Sequence, residues 1–345
     1  MSPYILFIML TSLGLGTTLT FASSNWLLAW MGLEINTLAI IPLMAHHHHP
    51  RAVEAATKYF ITQAAAAALL LFAGLFNAWQ SGQWLIQDIT MPVSTLMTLA
   101  IAIKLGIAPM HFWLPEVMQG ITLNTGLILA TWQKLAPLAL LYQISSNLMP
   151  ELTITLGLMS TIIGGWGGLN QTQIRKIMAY SSIAHLGWII SIMHFMPALA
   201  IINLTIYIIM TTTMFMTFNT LNSTSINTLA TNWSKFPVLS AATMLALLSL
   251  GGLPPLSGFL PKWLILQELT NQGLILATTM IALSALLSLY FYLRLSYSLT
   301  TTITPNTHAR VLKWDIKIKT NFTLPMIMIM SITMLPISPS IISLF

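Results

Sequence analysis

The chain has 345 residues, of which 56% are hydrophobic and only 6% are charged, and its formal net charge is +6. An ordinary soluble domain carries about 25% charged residues, so this composition excludes a soluble fold and favours an integral membrane protein. The absence of cysteine excludes disulfides and any thiolate-held zinc or iron–sulfur centre in this chain.

Apolar stretches long enough to cross a bilayer recur along the chain. A lipid-exposed backbone must satisfy its own hydrogen bonds, which leaves helices or a closed barrel. Unbroken apolar runs such as residues 64–76 lack the alternation of a barrel strand. The sequence therefore predicts an all-α polytopic membrane protein with about eleven transmembrane helices. They lie near residues 3–22, 25–45, 52–78, 91–119, 124–145, 151–169, 175–195, 198–220, 237–268, 273–298 and 322–342.

The loops between these spans divide by charge. If all spans cross, the loops on the N-terminal side hold Arg51, Arg175, Lys176, Lys235, Arg310, Lys313, Lys317 and Lys319. The opposite loops hold no Lys or Arg and contain or adjoin Asp88, Glu151 and Glu268. The positive-inside rule therefore predicts an N-terminus on the cytoplasm-like side and a C-terminus on the other. No basic face is interleaved with aromatic residues, so we expect no binding of nucleic acid.

Two of the predicted spans should be broken helices. In residues 91–119, Lys104 is followed by glycine and proline residues, and in residues 237–268 a similar run precedes Lys262. Proline removes a backbone donor and clashes with the preceding turn, so each run predicts an interruption. One interruption in each half of the chain indicates internal repeats with an ion site near the membrane midplane. Two packing kinks without function are the alternative.

These breaks suggest how the single membrane domain is organised. We predict a first repeat over residues 3–145 and a second over residues 151–298. A basic loop at residues 299–321 and a C-terminal helix at residues 322–342 should follow them.

A few ionisable residues lie away from the span ends, namely Glu34, Lys104, Lys134, His185 and Lys262. Each costs on the order of 2.5–3.5 kcal/mol at a helix centre, so they should face the protein interior. Three lysines cannot all pair with one glutamate. Burial disfavours the charged form of a lysine and a nearby carboxylate favours it, so a lysine can exchange its proton when its partner moves. Structural ion pairs are the alternative.

Histidines are the other candidates for proton chemistry. His185 could take a proton on one ring nitrogen and release it from the other, although a hydrogen-bonded core histidine is the alternative. His111, in the first break, is a weaker candidate. Residues 46–49 are four adjacent histidines in a short loop, and they lack the i, i+4 geometry of a preformed metal site. We therefore predict no metal site, and no Ser-His-Asp arrangement supports a hydrolase.

Five segments are typical of one known family: Trp30–Glu34, Glu54–Phe60, Lys104–Glu116, Gly168–Lys176 and Gly258–Trp263. They closely resemble the NADH dehydrogenase subunit 2 family of animal mitochondria, which belongs with the antiporter-like membrane subunits of respiratory complex I. The resemblance covers nearly the whole chain and implies a vertebrate source.

The resemblance implies two inverted five-helix repeats around a central polar axis, each with one broken helix. Glu34 matches the family's glutamate beside the first-repeat lysine, and Lys104 matches that lysine. Lys134 matches the connecting lysine, and Lys262 matches the lysine of the second broken helix.

The resemblance also implies a location and partners. The chain should cross the mitochondrial inner membrane with its N-terminus on the matrix side and its C-terminus on the intermembrane-space side. Its partners would be neighbouring antiporter-like subunits, small membrane subunits and lipids, with cardiolipin as a candidate. It should hold no cofactor, because NADH, FMN, iron–sulfur clusters and ubiquinone would be bound by other subunits.

We therefore expect a core membrane-arm subunit of proton-pumping NADH:ubiquinone oxidoreductase that moves protons along the buried Glu, Lys and His residues. The chain would belong to an enzyme without carrying a redox site. One alternative is a stand-alone cation/proton antiporter, which would exchange ions when reconstituted alone. Another is a structural subunit whose buried lysines are inert ion pairs.

Overall fold

The computed structural model describes residues 2–46, 49–301 and 323–337. This part of the chain is α-helical and contains no strand, only the isolated bridges Asn25–Leu85 and Gln173–Ser225. The helices are α1 (Pro3–Ala22), α2 (Trp26–Met44), α3 (Pro50–Ser81), α4 (Met91–Leu105), α5 (Trp113–Gly120), α6 (Leu123–Ala130), α7 (Trp132–Gln143), α8 (Pro150–Gly168), α9 (Ile174–Met193), α10 (Pro197–Thr220), α11 (Ile226–Lys235), α12 (Pro237–Gly251), α13 (Phe259–Asn271), α14 (Ile275–Thr301) and α15 (Thr323–Thr333).

The helices confirm the predicted all-α polytopic class. Each predicted span coincides with one helix or with two helices separated by a break, and most ends agree within about three residues. Among the helices of the described residues, six are long and apolar enough to cross a membrane: α1, α2, α3, α9, α10 and α14. Of the predicted C-terminal helix, α15 and a 3₁₀ turn at Leu335–Ile337 are seen. Its remaining residues, and most of the predicted basic loop, lie outside the described residues.

The chain forms two compact units. Unit 1 comprises Met1–Ser160 and Ile190–Pro197, and unit 2 comprises Thr161–Ile189 and Ala198–Phe345. In unit 1, α3 packs against α2, α4 and α5, while α7 packs against α1, α2 and α4. In unit 2, α14 packs against α11, α12 and α13, and α15 packs against α12. The repeat boundaries given above stay predictions.

Both predicted helix breaks are present, and their first halves end in the same way. Each first half, α4 and α12, is a helix of 15 residues, about 22 Å long and short of a hydrocarbon core of about 30 Å. Each ends at a left-handed glycine, Gly106 (φ 76°) or Gly252 (φ 78°), whose N–H bonds back to the last helical turn. The chain then becomes helical again at α5 and at α13.

Two features were not predicted. The span predicted at residues 124–145 is interrupted at Thr131, whose hydroxyl donates to the Leu127 carbonyl at 2.7 Å. Pro137, within α7, removes one further backbone donor from this span. Helix α11 is too short to cross a membrane, and a capping box of Ser225 and Thr228 starts it.

Candidate functional site

Glu34 and Lys104 of unit 1 lie close together, where α2 approaches the end of α4. The Lys104 Nζ atom is 3.9 Å from Glu34 Oε1, with the two side chains 1% and 24% exposed respectively. The Thr37 hydroxyl donates to Glu34 Oε2 at 3.2 Å. Within the described part of the chain, the Lys104 ammonium group has no hydrogen-bond partner. The Glu34 carboxylate therefore stabilises the charge of Lys104 through space, at more than hydrogen-bond distance.

The break in α4 explains why Lys104 can lie here. The last carbonyl groups of a helix lack intrahelical partners and carry partial negative charge, which favours a cation in the final turn. Two side chains donate to these carbonyls: the Trp113 indole to Ile103 at 3.1 Å, and the Gln63 amide to Lys104 at 3.5 Å. The break thus creates a polar end of helix α4 inside the protein.

A small cavity adjoins both buried lysines of unit 1. Its volume is about 20 Å³, which is enough for one water molecule. Its polar lining consists of Asn36, Thr37, Tyr59, Gln63, Lys104, Gln133 and Lys134. Unit 1 therefore brings together three of the predicted residues, with Glu34 next to Lys104 and Lys104 sharing a cavity with Lys134.

His111 lies apart from that cavity. It is buried within the break at residues 106–112, where its Nδ1 is 3.2 Å from the Pro109 carbonyl oxygen. It does not line the cavity that Lys104 and Lys134 share.

Lys262 lies at the second break but follows it in the chain, whereas Lys104 precedes the first break. It lies on α13, after the break, and its Nζ donates to the Gly251 carbonyl at the end of α12 over 2.8 Å. Its side chain passes close to Gly252, where a Cβ atom would be 2.9 Å from Nζ. Both broken-helix lysines therefore lie at the negative end of a first half-helix, Lys104 as part of α4 and Lys262 by reaching back to α12.

His185 is buried in unit 2 between two tyrosines. The Tyr292 hydroxyl on α14 is 3.5 Å from His185 Nε2, and the Tyr207 ring on α10 has its centre 5.4 Å from that of the imidazole. Ser181 and Ser182, on the same helix as His185, are also buried.

Sequence reasoning missed two kinds of polar group. The first kind carries no charge and does not stand out in an apolar span: the amides of Gln63 and Gln133 and the buried tyrosines Tyr207 and Tyr292. Arg294 does carry a charge within an apolar helix, which could have identified it. Its guanidinium donates to the Leu169 carbonyl at 2.6 Å, just beyond the end of α8.

The described residues include His46 and His49 of the histidine run. Among all residues described, no group of three or more His, Cys, Asp or Glu side chains is arranged to hold a metal ion.

Two units, each with one broken helix and a lysine at the break, define the antiporter-like class of polytopic membrane proteins. Residues 23–288 match a family model described as NADH:quinone oxidoreductase/Mrp antiporter, TM. Residues 289–342 match one described as NADH dehydrogenase subunit 2 C-terminus. The chain therefore belongs to the NADH:quinone oxidoreductase/Mrp antiporter family, in the branch of NADH dehydrogenase subunit 2.

Curated relatives agree over their full lengths. The chain is 85% identical to NADH-ubiquinone oxidoreductase chain 2 of Polypterus ornatipinnis, with both chains fully covered. It is 61% identical to the protein of that name from Salmo salar, covering 100% of this chain and 99% of the relative. The Xenopus laevis protein is 62% identical, covering 98% and 99%.

Solved structures share the fold. A chain of respiratory complex I from Thermus thermophilus, with bound aureothin, superimposes with a TM-score of 0.83 at 25% identity, covering 97% of this chain and 80% of that one. A chain of the Mrp complex from Dietzia sp. gives a TM-score of 0.76 at 18% identity, covering 82% and 58%. The second likeness concerns the fold alone.

Proposed function

We propose that this chain is a core membrane-arm subunit of proton-pumping NADH:ubiquinone oxidoreductase and that Glu34 and Lys104 are its proton switch. The curated relatives carry the name of that enzyme, and the Thermus thermophilus neighbour is part of a respiratory complex I. The chain belongs to an H⁺-translocating oxidoreductase, and the redox chemistry takes place in other subunits.

The observation that carries this proposal is the Glu34–Lys104 pair. The Lys104 ammonium group is buried, without a hydrogen-bond partner in the described residues, and 3.9 Å from Glu34 Oε1. At an effective dielectric constant of about 20, two charges at this distance attract each other by about 4 kcal/mol. Moving one charge against 100 mV requires about 2.3 kcal/mol. Displacing Glu34 therefore changes the energy of a protonated Lys104 by enough to release its proton against a membrane potential.

The other buried groups extend the proposed path. Lys134 shares a cavity of one-water size with Lys104, which suits a proton passing through a bound water. Lys134 and His185 pass charge along the membrane plane, and Lys262 marks the second half-channel. His111 remains a weaker candidate, because it lies outside the cavity with the lysines.

The location and partners follow from the same proposal. The membrane is the mitochondrial inner membrane, with the N-terminus on the matrix side and the C-terminus on the intermembrane-space side, as the distribution of loop charge favours. The partners are neighbouring antiporter-like subunits, small membrane subunits and lipids, including cardiolipin. NADH, FMN, iron–sulfur clusters and ubiquinone bind to other subunits of the complex.

The test replaces Lys104 by methionine, which keeps the bulk and removes the charge. In sealed vesicles containing the assembled complex, Lys104→Met should lower the number of protons moved per quinone reduced while electron transfer continues. Lys58→Met is the matched control, because Lys58 is 43% exposed and forms surface ion pairs with Glu54 and Glu116. Such pairs contribute about 0–1 kcal/mol, so this variant should pump normally.

Normal stoichiometry in Lys104→Met would overturn the proposal and leave a structural subunit. Ion exchange by the chain reconstituted alone would instead favour a self-sufficient antiporter.

A further inference from the structure

We infer that Tyr292 is a positioning residue for His185 and that it connects this histidine to the helix break where Lys262 binds. This inference rests on the proposed function, because it assigns a partner to the histidine of the proton path. The Tyr292 hydroxyl is uncharged, so nothing in the sequence pattern marks it.

The Tyr292 hydroxyl has two possible hydrogen-bond partners. It lies 3.5 Å from His185 Nε2, at the upper limit for a hydrogen bond, so a small side-chain rotation makes or breaks this contact. It also interacts with the side chain of Ser181, which lies one turn before His185 on the same face of α9. The Ser181 hydroxyl donates to the Met178 carbonyl at 2.8 Å, which leaves its oxygen available as an acceptor.

This arrangement can satisfy both protonation states of the histidine. When His185 is neutral and carries its proton on Nδ1, the Tyr292 O–H donates to Nε2. When Nε2 gains a proton from the path, its N–H donates to the Tyr292 oxygen, and the Tyr292 O–H turns to the Ser181 oxygen. The proton count of Tyr292 and Ser181 stays the same, so the two hydroxyls reorient without being ionised. Because a buried polar group without a hydrogen-bond partner is unfavourable, this choice of partners lowers the energy of both states.

The ring of Tyr292 reaches the second helix break. A Cβ atom placed on Gly251 would lie 3.9 Å from Tyr292 Cδ2, so the ring lies beside the side of Gly251 that has no side chain. The carbonyl of Gly251 is the group that accepts the hydrogen bond from Lys262. One side chain therefore lies next to both the proposed relay histidine and the residue that binds the broken-helix lysine.

The test is Tyr292→Phe, which removes the hydroxyl and keeps the ring against Gly251. In vesicles containing the assembled complex, we expect fewer protons per quinone reduced, with electron transfer still present. Tyr290→Phe is the matched control, because Tyr290 lies on the same helix and is 58% exposed. It should behave like the unmodified complex.

A double mutant separates positioning from general packing. Ser181 acts through the Tyr292 oxygen, so Ser181→Ala should lower the proton ratio by itself but add nothing to Tyr292→Phe. Additive losses, or a normal ratio in Tyr292→Phe, would overturn the inference. If Tyr292→Phe prevents assembly, Ser181→Ala alone decides, and a normal ratio in Ser181→Ala overturns the inference. Its control is Ser296→Ala, because Ser296 is a buried serine of α14 whose hydroxyl donates to the Leu293 carbonyl within its own helix. A low ratio in Lys104→Met together with a normal one in Tyr292→Phe would reject this inference and retain the proposed function.

Discussion

Replacing Glu34 by glutamine removes one charge of the proposed switch with almost no change of shape. The carboxylate lies 3.9 Å from the Lys104 ammonium, which corresponds to about 4 kcal/mol at an effective dielectric constant of 20. Glu34 is partly exposed, and a local dielectric constant of about 40 would reduce this value to about 2 kcal/mol. Either value is comparable to the 2.3 kcal/mol or so that one charge requires against 100 mV. Without the Glu34 carboxylate, protonated Lys104 loses most of this attraction, so moving the side chain at position 34 changes its energy very little.

The assay follows the number of protons taken up per quinone reduced, in sealed vesicles, at several membrane potentials. We expect Glu34→Gln to lower this ratio, and we expect the deficit to grow as the potential rises, because the electrical work increases while the switch energy is missing. Glu116→Gln is the control, since this carboxylate is 56% exposed and forms a surface pair with Lys58 at 2.8 Å. Equal ratios for Glu34→Gln and the unmodified complex at every potential would refute the electrostatic switch.

Two glycine substitutions test the helix geometry that holds the sites. Gly252→Ala would place a Cβ 2.9 Å from Lys262 Nζ at a left-handed backbone position, so it should lower both proton pumping and the thermal stability of the complex. Gly82→Ala is the control, because it introduces the same backbone strain of about 1–2 kcal/mol but has open space around the new Cβ. This control should still pump. In Gly16→Ala the new Cβ would overlap the side chain of Asn36, so this variant should reduce assembly, measured as the amount of complex per vesicle. In Gly14→Ala the new Cβ meets nothing within 4 Å, so this control should assemble normally. Equal yields of the two variants would contradict the close contact of α1 with α2.

Most of the fold could be predicted from the sequence because a membrane imposes a simple rule on the chain. Each crossing requires about 20 apolar residues, so spans such as α1 and α10 stand out as uninterrupted runs. Glycine and proline interrupt the pattern at both broken helices, where the chain needs left-handed glycines to end α4 and α12. Helix α11 escaped prediction because its amphipathic composition resembles that of a loop.

The candidate site was only partly predictable. A lysine or glutamate within an apolar span is conspicuous, which is why Glu34, Lys104 and Lys262 could be named from the sequence. A hydrogen bond between two uncharged or neutral side chains that are far apart in the sequence leaves no comparable pattern in the sequence. Tyr292 and His185 are 107 positions apart, and only the packing of α14 against its neighbours in unit 2 reveals their contact.

The two broken-helix lysines differ in a way that bears on which of them can switch. The ammonium group of Lys262 donates to a backbone carbonyl at 2.8 Å, and this partner cannot move away without disturbing the end of α12. The main partner of Lys104 is a side chain at 3.9 Å, and a carboxylate can change rotamer without breaking a helix. An electrostatic switch needs a partner that moves at low cost. Within the proposed function, the Glu34 side chain is therefore the moving part, and the site of Lys262 is held constant by the fold.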